Sequence, residues 1–69
     1  MAIENSQLPK AVIESFAKAY PGFKIKEAEK LETPAQKELY ELEIMKGAEK
    51  AEIRLLPDGE IISRENSKD

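Results

Sequence analysis

The spacing of apolar residues along the chain changes at about residue 22. Before that point six apolar residues recur at intervals of three to four, which is the spacing of one face of an α-helix. These residues are Leu8, Val12, Ile13, Phe16, Ala17 and Tyr20. The pattern predicts a helix over residues 8–20, and Pro21 and Gly22 then predict its end.

Beyond residue 22 apolar and polar residues alternate, which is typical of half-buried strands. Four segments show this pattern: residues 23–30, 38–45, 51–55 and a short segment that begins at Ile61. Residues 27–29 depart from strict alternation, so we expect a bulge or twist there. Residues 33–36 predict a loop, Gly47 a turn, and Pro57-Asp58-Gly59 a tight turn before the last strand.

One helix followed by strands with short connections predicts an α+β fold. The predicted architecture is one N-terminal helix packed on one face of a four-stranded antiparallel meander sheet. Residues 1–7 are predicted to be a disordered or loosely ordered arm, residues 8–65 the single domain, and residues 66–69 a frayed polar tail. The predicted core is Val12, Ile13, Phe16, Ala17, Tyr20, Ile25, Tyr40, Leu42, Ile44, Ile53, Leu55 and either Ile61 or Ile62.

Composition narrows the classes of function. The 69 residues are 41% hydrophobic and 36% charged, with a net charge of −3 that disfavours nucleic-acid binding. The chain has neither cysteine nor histidine, so thiol and imidazole chemistry are excluded, and we expect no cofactor. No apolar run is long enough for a membrane span, and residues 1–7 do not resemble a signal peptide.

Three glutamates and one arginine are predicted to share the polar face of the sheet: Glu41, Glu43, Glu52 and Arg54. Clustered carboxylates could hold a hard cation such as calcium. They could instead pair across strands with Arg54 and with Lys24 or Lys26, and we favour this second interpretation. No metal site is therefore predicted.

Three apolar residues, Leu39, Met45 and Leu56, fall on the polar face by their position in the alternation. Single exposed apolar residues are normal, whereas a gathered set would mark a protein contact. Ser15 and Lys18 have the S-x-x-K spacing of serine β-lactamases. The companion motifs are missing, so we attribute the spacing to coincidence and predict no enzyme activity.

Three motifs in order resemble the PepSY-like family, also described as β-lactamase-inhibitor-like. The first motif, in the predicted helix, is Leu8-Pro9-Lys10-Ala11-Val12 with Phe16 and Tyr20-Pro21-Gly22. The second, in the second predicted strand, is Tyr40-Glu41-Leu42-Glu43-Ile44. The third, in the closing hairpin, is Leu56-Pro57-Asp58-Gly59-Glu60-Ile61-Ile62. The resemblance covers residues 8–65. It implies a helix on an antiparallel sheet, a bacterial source, a periplasmic or secreted location and a binding or inhibitory role. It brings no catalytic motif.

Two functions follow as hypotheses. In the first, the chain is a non-catalytic binding module that holds a protein or peptide partner, in an inhibitory role or otherwise, on its sheet face or a strand edge. The predicted contact residues are Glu41, Glu43, Glu52, Arg54, Leu39 and Met45. In the second, the domain associates with itself through its sheet, and the homo-oligomer is the functional unit.

Overall fold

The computed structural model describes residues 2–35 and 38–67. Its elements are β1 (Ala2–Ile3), a short 3-10 helix (Asn5–Gln7), α1 (Lys10–Ala19), β2 (Lys24–Leu31), β3 (Leu39–Lys46), β4 (Glu49–Leu55) and β5 (Ile61–Ser67). The strands form one antiparallel sheet in the order β1-β2-β3-β4-β5. The α+β class is confirmed. The predicted number of four strands is wrong, because the sheet has five.

The additional strand comes from the segment predicted as a loose N-terminal arm. Ile3 lies opposite Ala28 of β2 and is half-buried against the core. The Glu4 N–H donates to Gln7 Oε1 at 2.9 Å, which closes the 3-10 turn that follows. A strand of two residues has no measurable period, and its partner lies far along the chain, so periodicity could not find it.

The C-terminal end of the sheet also extends beyond its predicted limit. The chain from residue 66 onward was predicted to fray, yet Asn66 pairs with Ala51 and Ser67 with Lys50 in β5. A strand with polar residues on both faces shows no alternation of apolar and polar residues, so the sequence pattern does not reveal it. Met1, Gln36, Lys37, Lys68 and Asp69, on which parts of the predicted arm, loop and tail fall, lie outside the described residues.

Helix α1 buries a narrower stripe than its sequence predicts. Val12 and Phe16 are buried, but Ile13 is 40% exposed and Ala17 is exposed, so the prediction of both as core residues is wrong. Successive helical residues turn by about 100°, so position 13 lies about 80° and position 17 about 120° from the centre of a stripe formed by 12 and 16. No helix among the described residues is long and apolar enough to cross a bilayer.

One cluster of buried residues includes members of the helix and of the sheet. It contains Leu8, Val12, Phe16, Tyr20, Ala28, Tyr40, Leu42, Ile44, Ala51, Ile53 and Leu55, with Ile3, Phe23, Ile25 and Ile61 half-buried against it. We call the sheet surface that carries Leu42 and Ile53 the inner face, and the opposite surface the outer face. Ile61 is half-buried against the core, whereas Ile62 is 38% exposed.

Two irregularities in pairing set which residues point outward. The register of β2 against β3 shifts between Ile25 and Glu27, so Lys26 is the extra residue of a bulge. The bulge brings Ala28 to the inner face and leaves Glu27 and Glu29 on the outer face. A second shift, opposite Arg54 and Leu55, makes Ile62 the extra residue in β5.

The turn between β4 and β5 lies against the helix. The Gly59 N–H donates to the Leu56 carbonyl oxygen at 2.8 Å, and the Leu56 N–H donates to the Glu60 carbonyl oxygen at 2.9 Å. Gly59 has a φ of 96°. A Cβ atom at this position would lie 2.6 Å from the Ala11 carbonyl oxygen and 3.2 Å from Ser15 Cβ, so the turn approaches the helix closely.

Candidate functional site

The outer face carries a continuous row of carboxylates across four strands. Glu27 of β2 lies opposite Glu43 of β3, Glu43 lies opposite Glu52 of β4, and Glu52 lies opposite Glu65 of β5. We call these four residues the glutamate row. Side chains directly opposite each other on antiparallel strands have their Cβ atoms about 4.5–5.5 Å apart. Each pair in the row therefore brings two negative side chains together.

A second row, one step along the strands, contains the nearest positive charge. Glu29 lies opposite Glu41, and Glu41 lies opposite Arg54. Arg54 Nη2 is 3.0 Å from Glu41 Oε2, and Arg54 Nε donates to the same oxygen at 3.1 Å. The predicted cross-strand pairing of Arg54 is thus present, with Glu41 as its partner. The Glu41 side chain is only 14% exposed, so the pair is partly shielded from water.

The electrostatic cost of this arrangement is visible at Glu52. Its pKa is raised above the ordinary value, chiefly by the negative charge of Glu41, then by partial burial, and then by Glu65; Glu43 adds to the rise. Arg54 acts in the opposite direction but does not cancel it. Like charges directly opposite on a sheet destabilise it. The outer face therefore holds negative charge that the fold itself does not need.

The carboxylates surround a shallow depression that is lined by Glu27, Glu29, Glu41, Glu43 and Glu52. Its lining is entirely acidic, so it would favour a cationic group. Within residues 2–35 and 38–67 no three carboxylates lie close enough together to hold a metal ion. The calcium interpretation therefore gains no support, whereas a longer cationic side chain could reach several of these carboxylates.

The apolar residues predicted for this face do not form one patch. Leu39 lies opposite Leu31 at one end of β3 and is only 7% exposed, so it offers a partner little surface. Met45, at the other end, is half-buried between Lys24 and Lys50. Six residues of strand separate Leu39 from Met45 by about 20 Å. Leu56, also half-buried, follows β4 at the end that carries Leu39.

The strands at the two edges of the sheet differ in length. Strand β1 pairs with β2 only at Ala28 and Glu29. Strand β5 runs for seven residues and has β4 on one side. Among the described residues no strand pairs with its other side. Edge strands of this kind present unpaired backbone groups to a neighbouring chain.

The structure places four of the six predicted contact residues close together. Glu41, Glu43, Glu52 and Arg54 occupy adjacent positions on the outer face, while Leu39 is buried and Met45 lies at the far end of its strand. Whether any of them contacts a partner stays a prediction. Three acidic neighbours, Glu27, Glu29 and Glu65, were not among the predicted contact residues. The broken alternation at residues 27–29 was a signal for the first two.

Comparison of this chain with protein-family models, with curated proteins and with solved structures gives no match. The resemblance to the PepSY-like family therefore stays a hypothesis that rests on the three motifs alone.

Proposed function

We propose that this protein is a non-catalytic binding module that holds a protein or peptide partner on the outer face of its sheet. The observation that carries the proposal is the glutamate row, in which each of the four carboxylates lies directly opposite another. Such a row lowers the stability of the free domain. A partner that supplied positive charge to this face would remove that cost on binding.

The chemistry of the face indicates which partners fit. Lysine or arginine side chains can form charge-assisted hydrogen bonds with carboxylates, and arginine can bind one in two places. Complementary charge also accelerates association and fixes the register of the bound partner. We therefore expect a basic protein surface or peptide, with Glu43 and Glu52 at the centre of the contact.

The proposal takes helix α1 as the cover of the inner face, which leaves the outer face open. Two observations support this assignment. Val12 and Phe16 of the helix belong to the same buried cluster as Leu42 and Ile53 of the sheet. At the end of the sheet, Gly59 approaches the backbone of Ala11. The helix and a partner would then occupy opposite surfaces.

The PepSY-like resemblance supplies the setting of the proposed module. It suggests a periplasmic or secreted bacterial protein whose partner is inhibited on binding. The outer face supports the binding part of this hypothesis, since an exposed charged surface can dock a partner without any catalytic group. The inhibitory part rests on the family resemblance alone.

Capture with matched variants tests the proposal. Three immobilised proteins are compared with a cell-envelope extract: the unmodified domain, the outer-face variant Glu43→Lys/Glu52→Lys, and the control Glu14→Lys/Glu49→Lys. Both variants change the net charge equally, but Glu14 is on the helix and Glu49 pairs with Lys46 away from the outer face. The binding of each retained protein is then measured in solution with purified components.

We expect a partner that binds the unmodified domain and the control, and binds the outer-face variant at least about tenfold more weakly. Equal binding by both variants would show that the outer face is not the contact. Retention of no protein by the unmodified domain would count against a binding role.

A second candidate function is self-association, and the free edge of β5 favours it. Pairing of β5 strands from two copies would join two sheets into one, as edge strands can do. Light scattering over a range of concentrations tests this directly. A mass that rises to that of a dimer supports it, and a constant monomer mass at the highest concentration excludes it.

A further inference from the structure

The edge of the sheet at β5 is a second feature of the same binding surface. In an antiparallel pair, residues of an edge strand alternately turn their N–H and C=O groups toward the neighbouring strand and away from it. Strand β5 pairs with β4 along its length, and its seven residues include no proline. Alternate residues of β5 therefore present backbone donors and acceptors outward.

The glutamate row ends at this same edge. Glu65 is its last member; it is exposed and lies opposite Glu52. The neighbouring Arg64 is on the inner side, where its guanidinium lies 5.5 Å from the centre of the Tyr20 ring. The outer surface of β5 is therefore acidic at Glu65, and the arginine beside it cannot neutralise that position from within the strand.

We propose that the partner binds as an extended segment that adds to β5 as a sixth strand, with a lysine or arginine directly opposite Glu65. This inference rests on the proposed binding function: the partner's basic surface lies on the outer face, and one extended segment of the same partner pairs with β5. Backbone hydrogen bonds to β5 would supply affinity, and the cationic side chain would supply specificity, as is usual when a peptide adds to a sheet edge. The glutamate row would then continue into the partner and end on a positive charge.

A second copy of this chain that paired antiparallel through β5 would not place a cation opposite Glu65. When antiparallel strands pair, residues directly opposite each other point to the same face of the sheet. Arg64 and Glu65 point to opposite faces, because Arg64 lies opposite Ile53 and Glu65 lies opposite Glu52. In an antiparallel pair of β5 strands, Glu65 would face an outer position such as Ser63 or another Glu65, and not Arg64.

The opposite edge of the sheet fits the proposed partner less well. Part of β2 is already paired with β1 at Ala28 and Glu29. The bulge at Lys26 interrupts the regular spacing of backbone groups on the rest of that strand. Lys24 and Lys26 would also repel a basic segment there. The β5 edge is regular over residues 63–67 and acidic on its outer side.

Nuclear magnetic resonance with a defined peptide tests the inference. The probe is an acetylated and amidated seven-residue peptide that alternates threonine with lysine, which favours an extended chain. We expect the largest shifts among backbone amide signals of β5, and weaker ones in β2. A peptide that alternates threonine with glutamate should leave these signals unchanged at the same concentration.

Backbone methylation of the probe separates strand addition from simple attraction of charges. One peptide is N-methylated at its second, fourth and sixth residues, and another at its third and fifth. In an added strand only one of these sets faces β5, so we expect one peptide to lose binding and the other to keep it. Equal binding by the two methylated peptides overturns strand addition.

Two charge variants locate the cation. Glu65→Lys and Glu29→Lys change the net charge equally, and both positions are on the outer face, one in β5 and the other in β2. We expect Glu65→Lys to weaken binding by about tenfold or more and Glu29→Lys by less than about threefold. Equal effects of the two variants overturn the assignment to Glu65.

The experiments distinguish a failure of strand addition at β5 from a failure of the binding function on the outer face. Shifts confined to outer-face residues of β2, β3 and β4, with no effect of the methylation pattern, overturn strand addition but agree with docking on the face. Absence of shifts at millimolar peptide also overturns strand addition. The capture experiment with Glu43→Lys/Glu52→Lys then decides the binding function by itself.

Discussion

The two faces of the sheet are built from alternate residues of the same strands, but they contribute to stability in opposite ways. On the inner face of β4, Ala51, Ile53 and Leu55 are buried at 4%, 0% and 0% exposure. Between them, Glu52 and Arg54 point to the outer face, where Glu52 lies beside carboxylates of both neighbouring strands. The inner residues remove apolar surface from water, whereas Glu52 on the outer face brings like charges together.

This difference indicates which part of the chain specifies the fold. A sheet needs only one buried face, and the other can face water without loss of the architecture. The inner face has little freedom, since each buried side chain contacts several others. The outer face can carry an unfavourable charge pattern because the inner face supplies the stability that offsets it. Strands of this type can therefore hold a site on one side.

Replacement of one inner residue should have the largest effect. Ile53→Ala removes a fully buried side chain, and we expect the free energy of unfolding to fall by about 2–5 kcal/mol. Glu52→Ala, at the next position, should change it by less than about 0.5 kcal/mol. Denaturant titration monitored by circular dichroism measures both.

Loss of 2–5 kcal/mol could unfold a domain of this size, so Ile53→Val gives a milder variant with an expected loss of about 0.5–1.5 kcal/mol. Equal losses at positions 52 and 53 would contradict the difference between the two faces.

A substitution in the β4–β5 turn should have an intermediate effect. Gly59→Ala adds a methyl group that would meet the Ala11 carbonyl oxygen at 2.6 Å, at a residue whose φ is 96°. We expect a loss of about 1–3 kcal/mol. Gly47→Ala is the matched control, because Gly47 also has a positive φ, 60°, but has no atom near its Cβ position. The control should lose only about 1 kcal/mol. Thermal unfolding compares the two, and similar losses would argue against a close turn–helix contact.

The smallest expected effect is a pH-dependent gain from Glu52→Gln. Folding raises the pKa of the Glu52 carboxyl above its ordinary value of 4.5. The contribution of this carboxyl to stability is therefore fully present below pH 4.5, and it is lost as the pH rises through the raised pKa of the folded protein. At pH 7 the ionised carboxylate is less favourable in the folded protein than in the unfolded chain. We therefore expect the variant to melt at a higher temperature than the unmodified protein at pH 7.

The gain should shrink toward zero near pH 3, where Glu52 is protonated in both states. Melting curves at the two pH values test the sign. Glu32→Gln removes one charge from an exposed position outside the glutamate row and serves as the control. A gain that is the same at both pH values would show that charge repulsion at Glu52 is not its cause.

Periodicity was sufficient to predict most of the fold. The alternation that predicted strands over residues 38–45 and 51–55 reflects real burial, because Leu42, Ile44 and Ile53 are fully buried in β3 and β4. It failed at Ala2–Ile3, where the strand is too short to have a pattern. It also failed at Ile13, because an apolar residue on the flank of a helix has the same spacing as one in the core.

The candidate site was only partly predictable for a different reason. Alternation places Glu43 and Glu52 on the polar face, but it does not say which residue of the next strand lies opposite. That register depends on the bulge at Lys26, which aligns Glu27 with Glu43. It depends equally on the bulge at Ile62, without which Arg64 rather than Glu65 would lie opposite Glu52. A row of charges across four strands therefore emerges only when all three registers are known.

The glutamate row also determines how the protein should respond to ionic strength. Dissolved salt screens charges on the surface at separations beyond about 10 Å at 0.1 M, and beyond about 3 Å at 1 M. Added salt weakens the attraction within exposed ion pairs and so reduces what they contribute to the stability of the fold. It also weakens the repulsion within a row of like charges, and this raises the stability of the fold. Sodium ions gathered near these carboxylates would relieve the same repulsion that a basic partner would relieve. The domain should thus be most stable in concentrated salt, where its partner would bind most weakly.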